Sequence, residues 1–311
     1  MGERKRWGEQ RYRSLDYELK ETFGEKIYKI TLNGGMTCPN RDGRTGTGGC
    51  IFCSASGSGD FAGDASLSVT EQLARGKAEL QKKRPIRSYI AYFQAFTNTY
   101  APVEYLEKIF TEAISDPDVR ILSIATRPDC LGRDVLELLA RLNRIKPVWV
   151  ELGLQTIHPK TAELIRRGYP LKTFDQAVSD LRAAGITVIV HVILFLPGET
   201  EEMMLQTLEH LNRAGIQGIK LQLLHILKGT DLARLYEAEP FHVPDMDEYI
   251  RLLGRCICML RPDLVIHRLT GDGPKDLLTA PMWTGAKRTV LNNLHGYLKE
   301  NDLWQGKEYH G

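Results

Sequence analysis

Long hydrophobic runs are missing from this sequence. The longest apolar stretch covers residues 186–197 and is interrupted by Thr187 and His191, whereas a membrane-spanning helix needs about 20 apolar residues. The opening residues are charged and include no apolar core of a secretory signal peptide. We therefore expect no membrane association and a cytoplasmic location.

The chain also has few cysteines and a small net charge. Six cysteines in 311 residues are too few for a disulfide scaffold, and a net charge of +2 does not by itself demand a polyanionic partner. The sequence holds no internal repeat and no low-complexity segment. Apolar residues make up 42% and charged residues 26% of the chain, which is ordinary for a globular protein large enough to form one barrel-sized domain.

Short apolar runs alternate along the chain with longer segments of helical periodicity. Ser68 and Glu71 form a capping-box pattern, which predicts a helix from there to about residue 83. Strands are predicted over residues 26–32, 88–94, 120–125, 148–154, 187–196, 218–224 and 264–269. Further helices are predicted over residues 102–114, 133–144, 159–167, 174–184, 201–214, 245–260 and 286–299. This order favours an α/β fold, a complete or partial (β/α) barrel of six to seven strands.

We expect three segments: a basic amphipathic helix over residues 1–25, the barrel over residues 26–270, and a helical extension over residues 271–311 that closes the barrel. Within the first segment, residues 4–13 carry five basic side chains against one acidic side chain, with Trp7 and Tyr12 between them. Such a pattern suits a nucleic-acid backbone, and its candidate contacts are Arg4, Arg6 and Arg11. The alternative is a solvated helix face with two packed aromatic side chains.

Three cysteines lie together in the glycine-rich segment CPNRDGRTGTGGCIFC, at residues 38–53. Cys50 and Cys53 form a C-x-x-C pair, and eleven residues separate Cys38 from it. Thiolates in this pattern indicate a metal or iron–sulfur site. A structural zinc ion would need a fourth ligand, which is missing nearby, whereas a [4Fe–4S] cluster on three cysteines would keep one iron open for another ligand. Zinc, or no metal at all, remains the alternative.

The unusual polar or glycine-rich segments, the cysteine segment among them, follow the ends of predicted strands. They are residues 33–53, 94–99, 126–129, 155, 197–200, 225–230 and 270–274. In (β/α) barrels the chemistry takes place at the carboxyl ends of the strands. We therefore expect these segments to belong to one site.

Several motifs together resemble the YhcC/YtqA-type branch of the radical S-adenosylmethionine (SAM) superfamily. They are the cysteine segment, followed by GSGDFAG at residues 57–63, TRPDC at 126–130, ELGLQT at 151–156, HVILFLPGET at 191–200, KGT at 228–230 and HRLTGD at 267–272. That branch is similar to the catalytic subunit of Elongator and to oxygen-independent coproporphyrinogen oxidases. The superfamily's usual spacing is C-x-x-x-C-x-x-C, so the wide first gap is a departure.

The resemblance implies a radical SAM enzyme. Cys38, Cys50 and Cys53 would each bind one iron of a [4Fe–4S] cluster, and the fourth iron would take the methionine part of SAM. One-electron reduction of SAM would then give a 5′-deoxyadenosyl radical that abstracts hydrogen from a substrate. An electron donor such as flavodoxin or ferredoxin is implied as a partner.

The resemblance also suggests where SAM binds. Gln94 and Asn98 stand where the superfamily has a glycine–glycine–glutamate motif for the SAM amino group, although this chain lacks those glycines. Arg127 is a candidate for the SAM carboxylate. The candidates for the ribose hydroxyls are Glu151 and Gln155, and those for the edge of the adenine are Pro197, Gly198 and Glu199. The alternative for Arg127 and Glu151 is a mutual salt bridge inside the barrel.

For the substrate, the resemblance suggests tRNA and the C5 side chain of its wobble uridine. The expected reaction converts 5-carboxymethylaminomethyluridine to 5-aminomethyluridine. Candidate substrate contacts near strand ends are His225, His267 and Asp272, the last of which could equally be a turn residue. The alternatives are a radical SAM enzyme for a small metabolite, and a non-catalytic RNA-binding module that carries zinc or a cluster.

Overall fold

The computed structural model describes residues 6–57, 62–82, 85–271 and 273–311. Two candidate substrate contacts from the sequence, Arg4 and Asp272, lie outside the described residues. No helix among the described residues is both long enough and apolar enough to cross a membrane.

The strands are β1 Tyr28–Leu32, β2 Tyr89–Phe93, β3 Val119–Thr126, β4 Val148–Gln155, β5 Thr187–Leu194, β6 Gly218–Leu223, β7 Ile226–Leu227, β8 Val265–Arg268 and β9 Leu278–Ala280. Within the described residues, seven of them form one sheet in the order β1-β2-β3-β4-β5-β6-β8. Strands β1 to β4 pair in parallel, and so do β6 and β8.

The helices are α1 Leu15–Phe23, α2 Val69–Gln81, α3 Val103–Ser115, α4 Arg133–Asn143, α5 Pro159–Leu164, α6 Leu171–Ala183, α7 Glu201–Ala214, α8 Asp231–Ala238, α9 Met246–Met259 and α10 Lys287–Glu300. The predicted capping box is present at the start of α2: Ser68 accepts from the Glu71 backbone, and the Glu71 carboxylate accepts from Ser68. Sequence periodicity did not predict α8 or the small antiparallel pair of β7 and β9.

Strands and helices alternate through the sheet, which is the arrangement of a partial (β/α) barrel, so the predicted fold class is confirmed. The chain divides into two compact units. Unit 1 comprises Met1–Glu18, Leu154–Arg167 and Val190–Gly311 where these are described, and unit 2 comprises Leu19–Gly153 and Gly168–Ile189. The three-segment division expected from the sequence stays a prediction.

In unit 2 the sheet of β1 to β4 has one apolar and one polar face. The apolar face buries side chains such as Phe93, Ile124 and Val150, and the Phe93 ring meets the Phe110 ring of α3 edge to face at 5.1 Å. Because side chains alternate along a strand, polar residues share the opposite face. There the Lys29 ammonium lies 4.5 Å from the centre of the Tyr92 ring.

In unit 1 the amino-terminal segment runs beside β8. Ser14 forms a parallel bridge with Ile266, and the Ile266 N–H donates to the Arg13 carbonyl over 2.8 Å. The Gln305 N–H donates to the Arg11 carbonyl over 2.9 Å, which joins the two ends of the chain. The amino-terminal segment therefore covers the outer edge of β8, which is one of the ways in which proteins protect the edge of a sheet.

Candidate active site

The cysteine loop, residues 37–57, follows β1 and has a backbone structure of its own. The Thr45 N–H donates to the Pro39 carbonyl over 2.8 Å, and the Gly49 N–H donates to the Asn40 carbonyl over 2.7 Å. The Cys53 N–H donates to the Cys50 carbonyl over 3.0 Å. These bonds fold a glycine-rich segment into a defined loop rather than a loose one.

The three thiols lie in this loop, and each is half-buried. The hydrogen bond between the Cys50 and Cys53 thiols, together with burial, raises the pKa of Cys50 well above its ordinary value. The Asn40 amide nitrogen lies 3.6 Å from the Cys50 sulfur. Among the described residues, no three His, Cys, Asp or Glu side chains surround a position for a single metal ion.

The loop after β2 is hydrogen-bonded to the cysteine loop. The Thr97 N–H donates to the Thr37 carbonyl and the Phe96 N–H to the Gly57 carbonyl, each over 3.2 Å. Asn98 is fully buried, and its amide nitrogen donates to the Ala125 carbonyl over 2.9 Å. Its Oδ1 has no hydrogen-bond partner among the residues that the structure describes. A buried acceptor without a donor is costly, so Asn98 is suited to receive a donor from a ligand.

Arg127 lies at the end of β3 and is almost fully buried. Its guanidinium makes a two-pronged contact with Asp129, at 2.9 and 2.8 Å, and lies 5.0 Å from the centre of the Tyr169 ring. Burial opposes its charge, but the Asp129 carboxylate outweighs burial and raises the pKa of Arg127. Its positive charge acts on Cys50 in the opposite direction, which favours the thiolate there.

Glu151 is buried on the polar face of β4, where Lys29 and Ser123 each donate to it over 2.8 Å. The salt bridge between Arg127 and Glu151, which the sequence offered as an alternative, stays a prediction. Arg127 has Asp129 as a carboxylate partner, and Glu151 has the Lys29 ammonium at 2.8 Å. Gln94 lies half-buried just after β2, and its N–H donates to the Leu32 carbonyl over 3.2 Å.

The remaining candidates lie in unit 1. Gln155 ends β4 in the left-handed region, with a φ of 64°, and Gly198 turns the chain after β5 with a φ of +81°. Pro197 precedes it and is buried. Glu199 accepts a short hydrogen bond from Thr156, and burial raises the pKa of its carboxyl. This bond joins the loops that follow β4 and β5.

Two candidate substrate histidines also lie in unit 1. The His225 ring packs so closely on Gly271 that a Cβ there would lie 2.4 Å from it. His267 lies on β8 and is half-buried. Gly271 therefore has to be glycine for His225 to keep its place. This close contact explains the glycine in the HRLTGD motif.

In the amino-terminal segment, Arg6 is exposed, whereas Arg11 is held within the protein. The Arg11 guanidinium donates to Asp302 over 3.0 Å and to the Leu303 carbonyl over 3.2 Å. Trp7 and Tyr12 are buried, and burial raises the pKa of Tyr12 to about 12. The packed aromatic side chains of the alternative hypothesis are therefore present, and Arg11 has a structural partner.

Sequence reasoning missed the side chains that support the cysteine loop. Asn40 accepts from the Thr45 hydroxyl over 2.8 Å, and its Oδ1 faces Gly168, where a Cβ would lie only 2.5 Å away. Gly168 has a φ of +81°. The position of Asn40, two residues after Cys38, could have suggested from the sequence that it supports the loop. Only the fold, however, places Gly168 against it.

We predict that Gly168→Ala lowers the free energy of unfolding by more than Gly185→Ala does. Both glycines have left-handed backbones, with φ of +81° and +70°, but only a Cβ at Gly168 meets a neighbour within 4 Å. The control should cost about 1 kcal/mol for its backbone alone, and Gly168→Ala a further 1–3 kcal/mol for overlap with Asn40. Urea unfolding of the apoprotein measures both. Equal losses would contradict the close contact.

Comparison with known proteins identifies the family. A profile of the Radical SAM superfamily matches residues 40–211, and one of the Radical SAM C-terminal domain matches residues 216–300. The protein YtqA of Bacillus subtilis is 45% identical over 96% of this chain and 93% of its own length. Protein YhcC of Escherichia coli is 38% identical over 92% of each chain.

More distant proteins share the fold or part of the sequence. The solved structure of Elp3 from Methanocaldococcus infernus has a TM-score of 0.69 at 15% identity, and it matches 90% of this chain and 64% of that one. A tRNA uridine(34) acetyltransferase of Methanocaldococcus jannaschii is 23% identical over 58% of this chain, which spans only a third of that protein. The matched profile and the relatives YtqA and YhcC establish that the chain belongs to the radical SAM superfamily, whose cofactors are a [4Fe–4S] cluster and SAM.

Proposed function

We propose that Cys38, Cys50 and Cys53 bind the [4Fe–4S] cluster of this radical SAM enzyme, and that the enzyme modifies a wobble uridine of tRNA. The observation that carries the first part is the cysteine loop itself. It holds three thiols in a hydrogen-bonded frame, next to a buried acceptor on the neighbouring loop. A [4Fe–4S] cluster takes one thiolate for each iron, so its ligands need not converge on a single point.

Two neighbours of the loop support this assignment. The Arg127 charge favours a thiolate at Cys50, and the Asn40 amide lies within reach of the Cys50 sulfur. Cation charge and weak N–H donors near cluster thiolates stabilise their negative charge. When bound, the cluster and SAM together supply the one-electron cleavage that gives a 5′-deoxyadenosyl radical.

Asn98 is the residue we assign to the SAM ammonium group. Its Oδ1 is buried without a donor among the described residues, and an ammonium group would supply three. Asn98 is fixed in place because both its N–H and its amide nitrogen donate to the Ala125 carbonyl. The backbone therefore holds the acceptor in position before the ligand arrives.

The other SAM assignments rest on the resemblance. The Arg127 guanidinium could bind the SAM carboxylate only beside Asp129, which already accepts hydrogen bonds from two of its nitrogens. Glu151 would have to offer an oxygen not taken up by Lys29 and Ser123. The roles assigned to Gln94, Gln155, Pro197, Gly198 and Glu199 stay predictions.

For the substrate, we favour the C5 side chain of the tRNA wobble uridine, with conversion of 5-carboxymethylaminomethyluridine to 5-aminomethyluridine. A similar protein is named for acting on uridine 34 of tRNA, which supports this choice. Arg6 is exposed near the chain's joined ends, where it can contact phosphate. Arg4, Asp272, His225 and His267 remain predicted contacts. Flavodoxin or ferredoxin is the proposed electron donor.

We predict that Asn98→Ala weakens SAM binding about tenfold, because one charge-assisted hydrogen bond is lost. The control is Asn143→Ala. Asn143 also holds the backbone, since its side chain donates to the Gly185 carbonyl over 3.1 Å and accepts from the Val148 N–H over 2.8 Å. Equilibrium dialysis with labelled SAM, on the reconstituted proteins, gives both affinities. If the two variants bind SAM as tightly as the wild type, Asn98 does not hold the ammonium group.

The substrate proposal predicts a change in tRNA nucleosides. Reconstituted protein, SAM and a strong reductant are incubated with bulk tRNA, and the digested nucleosides are separated by mass spectrometry. We expect 5-carboxymethylaminomethyluridine to fall and 5-aminomethyluridine to rise, with no change when SAM is left out. Turnover of SAM with unchanged nucleosides would instead favour a small-metabolite substrate. One zinc per chain without sulfide would favour the non-catalytic RNA-binding module.

A further inference from the structure

Arg41 joins the two ends of the cysteine loop. It lies three residues after Cys38, and its backbone N–H donates to the Cys38 carbonyl over 2.8 Å. Its guanidinium reaches across the loop to the far side of Cys53. There it donates to the Ser54 carbonyl over 2.6 Å and to the Ala55 carbonyl over 3.2 Å. One side chain therefore connects the residues that flank the first and the last cysteine.

A glycine leaves space for the Arg41 side chain, and an aromatic ring packs against it. A Cβ at Gly49 would lie 3.0 Å from the Arg41 Nε, and Gly49 has a φ of +73°. The guanidinium carbon lies 5.5 Å from the centre of the Phe96 ring. The Phe96 ring in turn packs on Gly57, where a Cβ would lie 2.2 Å from it. Gly49 therefore leaves the space that the Arg41 side chain occupies.

The contacts of Arg41 described above are all with other protein groups. The guanidinium has a planar fork of donors that fits two successive carbonyls, a geometry that lysine cannot reproduce. Phe96 is held by its N–H, which donates to the Gly57 carbonyl, and it has a left-handed φ of 59°. A strained residue of this kind persists only where its surroundings fix it. These protein contacts close the loop.

We propose that Arg41 is a positioning residue that clasps the cysteine loop closed before the cluster is assembled. It does so by binding the carbonyls of Ser54 and Ala55 while it packs on Phe96. The proposal rests on cluster binding by the three cysteines. It names the group that keeps their loop ready for the cluster.

The test compares Arg41→Met and Arg41→Lys with Arg44→Met. Arg44 belongs to the same loop and carries the same charge, but it is exposed and lies 5.5 Å from the Tyr100 ring. The first readout is amide hydrogen exchange of the apoprotein at Cys53 and Gly57. We expect exchange there to rise about tenfold in both Arg41 variants, because a two-pronged hydrogen bond is lost. Arg44→Met should match the wild type, and amides in α9 should not change in any variant.

The second readout is the rate and yield of cluster assembly, followed as iron and sulfide bound per chain. We expect both to fall severalfold in the Arg41 variants and not in Arg44→Met. If Arg41→Met does not fold, Arg41→Lys decides the matter. Wild-type exchange and wild-type assembly in the Arg41 variants would overturn the proposal. If wild-type protein binds no iron, the cluster assignment fails, while the exchange measurement still tests whether Arg41 closes the loop.

Discussion

Hydrogen bonds between neighbouring loops at the carboxyl ends of β1, β2 and β3 are the constraint on which the proposed site depends. The cysteine loop is bonded to the β2 loop through Thr37 and Gly57, and the β2 loop is bonded to β3 through Asn98 and Ala125. Each loop thus has its position set by the next strand rather than by its own flexible sequence. Arg41 closes the first loop on itself. Protein contacts thus position the thiols and the buried acceptor.

The sheet of unit 2 has an apolar face and a polar face. Its apolar face packs on helices, and burial of those side chains contributes most of the stabilisation of such a sheet. The other face carries Lys29, Tyr92, Ser123 and Glu151, which pair with one another. Because these polar groups pair with each other, the sheet tolerates their burial.

The sequence predicted the elements well because strands and helices here have clear periodicity, and the Ser68 cap appears as expected. The positions of the polar segments after strand ends were predictable for the same reason. The short strands β7 and β9 were not predictable, since strands of two and three residues are too short to show a periodicity. The helix α8 was not predicted either. The contact partners of individual side chains could not be predicted from the sequence either. Nothing in the sequence places Gly168 against Asn40, or pairs Arg127 with Asp129.

The central claim is that the three cysteines of this loop hold a cluster that cleaves SAM. The measurement that tests it is formation of 5′-deoxyadenosine by anaerobically reconstituted protein with SAM and a strong reductant. Wild type and Cys130→Ala should both form it, because Cys130 is a half-buried thiol whose pKa burial raises to about 12. Cys38→Ala should form none. Product from Cys38→Ala at the wild-type rate, or none from a wild-type protein with an intact cluster, would contradict the account.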